Sequence, residues 1–331
     1  MKKLFTILAV AAAMVSCAKE EVVSFDQGEA IEFGSFVDNA TRADQATDPS
    51  LTASTLTSFN VYGTVGGVAI YSGAEVTGKV GDPNSGSDYI WTCASVKQYW
   101  IKDAVYKFAA LKNEGAETNL TFVDNLPATV QFDATAANVD LLYAKNYGAD
   151  TDDDGVEDGI IGKASNNGPV NFTFEHLLSK VKFTVNNNST SATGYSFQVN
   201  NIVVTGAKTG KINLADKTWS NKSVAAPYSV DAIAVAEGDA KEESAVEMLL
   251  IPGDFTVSFK VDILCQGTKI ATHESAVSTH TLVGGNAYNF TIGVAVGEEI
   301  TFAVTQAPQW GNGNTHDSND VDNVNDYIPL Q

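Results

Sequence analysis

The chain has 331 residues, which is enough for about two ordinary domains. Its 40 acidic and 20 basic side chains give a formal net charge of −20, so its surface repels phosphate backbones and nucleic-acid binding is excluded. A hydrophobic content of 44% excludes a disordered acidic tail, and three cysteines are too few for a disulfide scaffold or a zinc cluster.

The N-terminus predicts a signal peptide, residues 1–16. The apolar run 4–15 follows a basic pair and is too short to span a bilayer. A small residue, Ser16, stands just before Cys17, and this arrangement resembles the lipobox of lipoproteins, in which the cysteine becomes the acylated N-terminus. A plain secretory signal with an incidental cysteine is the alternative. The Lys-Glu-Glu of residues 19–21 resembles the surface-export signal of Bacteroidota lipoproteins.

The next apolar segment predicts a short strand that ends shortly before the one arginine of the chain. Alternation places four residues on one face of this strand: Ile31, Phe33, Ser35 and Val37. Because Arg42 is the only arginine, an arginine-specific protease has a single cut, between Arg42 and Ala43. The alternative is a strand that stays in place, with Arg42 as an exposed loop residue.

The body of the chain alternates apolar and polar residues with a period of two and shows no sustained helical periodicity. The clearest alternating segments are 59–65, 181–185, 255–263, 288–296 and 300–304. Many short strands punctuated by Gly, Asn, Asp and Ser predict an all-β protein built of antiparallel sandwiches. The polar stretch 162–168 predicts a domain boundary.

An acidic loop has the opening pattern of a calcium-binding loop. Asp150, Asp152 and Asp154 occupy alternate positions and a glycine follows, which is how carboxylates converge on calcium. The twelfth position, where an EF-hand needs Glu, is Ile161, so the candidate is a shorter loop that closes on Asp158. A solvated acidic loop without metal is the alternative, and the sequence predicts no other cofactor.

Catalytic motifs are absent from the sequence, which contains no H-E-x-x-H, no G-x-S-x-G and no Gly-rich phosphate loop. We therefore predict that the protein is not an enzyme. Cys93 and Cys265 fall in different predicted domains, which favours two independent thiols over a disulfide.

Five segments resemble those of the fimbrillin-like proteins of Bacteroidota, the type V pilin superfamily: residues 89–110, 140–144, 174–183, 250–253 and 304–310. The resemblance implies two transthyretin-like antiparallel β-sandwich domains in tandem. It divides the chain into the signal peptide, a lipidated segment with the removable strand, two domains and a polar tail, at 1–16, 17–42, 43–167, 168–310 and 311–331.

The resemblance also implies a mechanism. Lipoprotein-processing machinery attaches the lipid, which holds the precursor at the outer membrane on the cell surface. An arginine-specific protease then cuts after Arg42 and removes the N-terminal strand with its lipid. A strand from another pilin subunit fills the vacated groove, and the subunits form a fimbrium that serves adhesion.

The C-terminal tail is the candidate donor strand, through Tyr327, Ile328 and Leu330. Pro329 removes one ladder donor, so a frayed C-terminus is the alternative, and stalk and tip positions are not separated. A second function class also stays open, a non-polymerising surface lipoprotein that binds a glycan or a host protein through its loops.

Overall fold

The computed structural model describes residues 29–37, 56, 58–80, 89–94, 97–112, 117–134, 139–151, 155, 157–244, 247–298 and 300–307. Every regular element within these ranges is a β-strand, so the all-β prediction is confirmed. The strands are numbered in chain order and form four sheets. Among the strands of the described residues, all pairs are antiparallel except two, one in the first sheet and one in the third.

The first sheet has eight strands and contains the N-terminal strand at one edge. Its order is β1 (Phe33–Val37), β10 (Val170–His176), β8 (Leu142–Asn146), β5 (Val105–Lys112), β2 (Ser58–Val65), β3 (Val68–Val80) and β4 (Tyr89–Thr92), with β9 (Ile160–Ile161) pairing with β5. Gly66 and Gly67 both have positive φ, which lets β2 return directly as β3.

The second sheet has four strands and mixes the two halves of the chain. Its order is β14 (Trp219–Ser220), β13 (Thr209–Asn213), β7 (Leu126–Asp133) and β6 (Glu117–Val123).

The third and fourth sheets come from the second half of the chain and face each other. The third contains β17 (Lys241–Glu243), β11 (Ser179–Asn187), β22 (Ala287–Val294) and β23 (Thr301–Ala307), with β18 (Met248–Leu250) pairing with β11. The fourth contains β15 (Ala226–Ser229), β12 (Tyr195–Gly206), β19 (Gly253–Cys265) and β20 (Thr268–Glu274), with β16 (Ile233–Val235) on β12 and β21 (Ser278–Leu282) on β19. Inward side chains of both sheets, such as Phe183 and Phe197, form one core.

The first sheet has apolar side chains on both faces, as β5 illustrates. Tyr106, Phe108 and Ala110 point to an aromatic core that also holds the N-terminal strand. Ala109 and Leu111 point the other way, to a core shared with the second sheet. Consecutive residues of a strand face opposite sides, so the four consecutive buried residues 108–111 need a layer on each side.

Strand pairing does not follow the predicted domain boundary between residues 167 and 168. β10 lies beyond the boundary but pairs with β1 and β8 in the first sheet, and β13 pairs with β7. A polar stretch marks a surface loop and does not tell which sheet receives the strand that follows. The division into two tandem transthyretin-like domains stays a prediction.

Candidate functional site

The N-terminal strand lies at the edge of the first sheet. We call its position, between β10 and residues 98–100, the seat. β1 runs parallel to β10, with Phe33 opposite Val170 and Val37 opposite Phe174. The amide of Val170 donates to the carbonyl of Glu32 at 2.7 Å, so this pairing begins one residue before β1. The backbone is therefore held to β10 from Glu32 to Val37.

The same segment is also bonded on its other side, to residues that follow β4. The amide of Ile31 donates to the carbonyl of Gln98, and the amide of Trp100 donates to the carbonyl of Glu29, each at 2.9 Å. Ala30 and Tyr99 form the antiparallel bridge between these bonds. Residues 29–37 thus join β10 to the stretch 98–100 that follows β4, and their loss would leave hydrogen-bonding groups unpaired on both sides.

Two side chains of the segment fill the aromatic core. Ile31 is 7% exposed and Phe33 is 6% exposed. The ring of Phe33 lies edge-on to Tyr71 and Phe108 at centroid distances of 5.4 and 6.1 Å and stacks on Phe172 at 6.0 Å. Burial of each such apolar side chain contributes roughly 1.5–3 kcal/mol, so loss of this segment would expose apolar surface at a comparable cost.

A polar anchor holds the N-terminal end of the segment. The backbone amide of Asn167 donates to Glu29 Oε2 at 2.7 Å, and Asn167 Nδ2 donates to the same oxygen at 2.9 Å. These bonds, the backbone bond above all, hold the pKa of the Glu29 carboxyl below its ordinary value of 4.5.

We expect acid to loosen this end of the strand. Because the folded-state pKa of Glu29 lies below 4.5, its contribution is fully present above that pH and is lost as the pH falls through the folded value. The hydrogen-exchange protection of the Ile31 amide should therefore drop between pH 6 and pH 3 by more than the protection of amides in β19. Glu29→Gln should remove this excess, and an unchanged acid dependence in that variant would contradict the assignment.

Several predicted site residues lie outside the described residues. These are Cys17, Arg42, Ala43, Tyr327, Ile328 and Leu330. Of the predicted removable strand, the structure places the buried side chains of Ile31 and Phe33, and it pairs the backbone of Ser35 with Phe172.

The acidic loop is organised by its own hydrogen bonds. The amide of Gly155 donates to Asp150 Oδ2, and the amide of Thr151 donates to Asp158 Oδ2, both at 2.8 Å. Asp152 and Asp154 lie outside the described residues, and within the described part of the chain no three His, Cys, Asp or Glu residues group as a metal site. Calcium binding stays a prediction, which a melting temperature lowered by a chelator would support.

Two further features of the described residues bear on function. Cys93 and Cys265 are both free thiols and half-buried. No helix long and apolar enough to cross a membrane occurs in the described ranges.

The contacts that hold residues 29–37 in place could not be predicted from the sequence. Asn167 stands in the polar stretch 162–168, which predicts a domain boundary, yet it anchors Glu29 across the fold. Trp100 stands in the family-like segment 89–110, and nothing in the sequence indicates that its amide bonds to Glu29. No local signal could reveal either partner, since both contacts join residues far apart in sequence.

Comparison with known proteins agrees with this architecture. The model of the fimbrillin-like family matches residues 41–308. A fimbrial protein from Bacteroides vulgatus has a similar structure, with a TM-score of 0.57 and 15% identity, over 85% of this chain and 99% of that chain.

Two more distant solved structures are similar over much of the chain. They are a fimbrial anchor protein from Porphyromonas gingivalis (TM-score 0.36, 12% identity, 86% of this chain and 99% of that chain) and a fimbrial assembly protein from Parabacteroides distasonis (0.38, 11%, 85% and 96%). No curated protein sequence matches the chain. Since the family model covers most of its length, the chain belongs to the fimbrillin-like family.

Proposed function

We propose that the protein is a structural subunit, stalk or tip, of an adhesive cell-surface pilus that assembles by strand donation after cleavage at Arg42. Membership of the fimbrillin-like family supports a pilus-type adhesion subunit with a structural rather than a catalytic role. The observation that supports the proposal is the position of residues 29–37, of which Ile31 and Phe33 fill a core and whose backbone bonds to β10 on one side and to residues 98–100 on the other. This segment precedes the only arginine by a few residues.

The proposed exchange starts with the loss of that segment. Once the chain is cut between Arg42 and Ala43, residues 29–37 are held only by hydrogen bonds and burial. Their departure opens a slot lined by Tyr71, Phe108 and Phe172. A strand from a neighbouring subunit then restores the ladder to β10 and refills the apolar pockets, which is β-strand addition.

The proposed donor strand and the proposed lipid attachment lie near opposite ends of the sequence. The C-terminal residues Tyr327, Ile328 and Leu330 carry the apolar groups of the proposed donor strand. Cys17 carries the lipid that holds the precursor at the outer membrane before cleavage. Other pilin subunits, the lipoprotein-processing machinery and an arginine-specific protease are the implied partners.

The test is to incubate precursor that begins at Ala18, and so carries no lipid, with an arginine-specific protease. We expect ladders of oligomers that resist mild heating in detergent, since each junction would be an inserted strand. A clean cut at Arg42 that yields only monomers, even with other subunits of the same pilus supplied, would overturn the proposal. The protein would then be better described as a non-polymerising surface lipoprotein.

A further inference from the structure

Exposed apolar side chains concentrate at one end of the first two sheets. Eleven large hydrophobic residues are exposed in the described part of the chain, and six of them lie at this end, each 37–67% exposed. We call these six residues the end patch: Val68, Ile101, Val105, Phe122, Val123 and Ile161. Scattered exposed apolar residues are ordinary, but a concentration of this kind marks an interaction surface.

Hydrogen bonds between turns bring the end patch together. The amide of Gly66 donates to the carbonyl of Val105 at 2.9 Å, and Asn125 Nδ2 donates to the carbonyl of Gly67 at 3.0 Å. Asn125 lies in the turn after Val123, so its bond ties that turn to the turn that precedes Val68.

The remaining members join through β9. Val105 pairs directly with Ile161. The amide of Gly162 donates to the carbonyl of Ala104 at 2.9 Å, and the amide of Ala104 donates to the carbonyl of Ile101 at 3.2 Å. The six side chains therefore stand on neighbouring turns and strand ends of a single surface.

The end patch adjoins the point where the N-terminal segment enters its seat. Tyr106 Oη accepts from the amide of Ile101 at 2.7 Å and donates to the carbonyl of Tyr99 at 3.3 Å. The neighbouring residue, Trp100, donates its amide to the carbonyl of Glu29. The patch and the Glu29 end of the seat are thus neighbours, connected through residues 99–101.

The local charge of the end patch differs in sign from the net charge of the chain. Within two residues of its members stand three lysines and two aspartates, Lys102, Lys107, Lys163, Asp103 and Asp124, a net charge of 3 − 2 = +1. The whole chain carries −20. The charges beside the patch therefore do not repel a second copy of so acidic a chain.

We propose that the end patch is the docking surface for the body of a second copy of this chain, the subunit that donates a strand to the seat. This inference rests on the proposed function. The length of the tail gives a reason to need such a surface, because residues 308–326 stand between the last described strand and Tyr327. Insertion of the donor strand does not by itself fix the position of a body that lies so many residues away, and contact at the end patch would fix it.

Docking at the patch also sets the direction of the donor strand. A C-terminal strand extends away from the body of its own subunit. If that body docks next to Glu29, the strand therefore enters the seat at the Glu29 end and runs toward Phe174. The donor would then run parallel to β10, as β1 does.

The test compares assembly rates of Arg-protease-cut chains. Ile101→Ser with Ile161→Ser alters the end patch, and Val68→Ser with Val123→Ser alters it independently. Val224→Ser with Ile270→Ser is the matched control, because both residues are exposed and lie outside the patch. Each cut chain is also titrated with a synthetic peptide of residues 29–37, which measures the seat without any donor body.

Both patch variants should form ladders at least about tenfold more slowly than the wild type and the control, because apolar contacts with the donor body are lost. Their affinity for the 29–37 peptide should be unchanged. Ladders at the wild-type rate in the patch variants would overturn the docking surface and leave strand donation standing. Equal loss of peptide binding in both variants would also overturn it, since the seat itself would then be altered. If no chain forms ladders despite complete cleavage, strand donation is wrong, and the proposed docking surface, which depends on it, is wrong as well.

Discussion

Replacing Phe33 by alanine should lower the free energy of unfolding of the precursor by about 3–5 kcal/mol, the cost of truncating a buried phenylalanine. The ring is 6% exposed and touches three aromatic neighbours, so the truncation leaves a cavity in the core of the first sheet. Urea unfolding of the precursor measures this loss. Under the strand-donation account the variant should also form ladders faster after cleavage, because its strand leaves the seat more readily.

A matched pair separates the seat from general effects of truncation. Ile31→Ala removes a side chain that is 7% exposed, whereas Ile270→Ala removes the same side chain where it is 57% exposed. Only Ile31→Ala should destabilise the precursor, by about 2–5 kcal/mol. Equal stabilities of the two variants would show that residues 29–37 contribute little to the stability of the fold. The departure of such a strand would not open an apolar groove, and the strand-donation account would be wrong.

Replacing Arg42 by glutamine should abolish assembly outright. The chain has no other arginine, so an arginine-specific protease finds no site in the variant and the N-terminal strand stays covalently attached. We expect an intact chain by mass spectrometry and no ladder in detergent gels under conditions where the wild type is converted completely.

The neighbouring change Asp44→Asn is the control, since it alters the charge beside the cut and keeps the arginine. It should be cleaved and should assemble. Ladders from uncut Arg42→Gln would show that assembly does not require cleavage, and the strand in the seat would then be a permanent part of the fold.

The strands themselves could be predicted from local pattern. Alternation from Phe255 to Ile263 corresponds to β19, and alternation from Tyr288 corresponds to β22. Such a pattern is readable because one face of each strand is buried and the other is not.

The pairing of strands that lie far apart in the sequence could not be predicted. β1 pairs in parallel with β10, and β13 pairs with β7, although long stretches of chain separate the members of each pair. Alternation tells which face of a strand is buried but not which strand lies beside it, and a polar loop such as 162–168 does not show that the next strand returns to the earlier sheet. For this reason the anchor between Glu29 and Asn167 and the end patch emerge only from the fold.

The most direct measurement is the identity of the strand in the seat of assembled material. Fibres or ladders made from the precursor are washed, dissociated in strong denaturant and analysed by mass spectrometry. The account predicts subunits that begin at Ala43 and no fragment containing residues 29–37. Recovery of that fragment in equal amount to the subunits would mean that the original strand never left, and polymerisation by strand donation into this seat would be wrong.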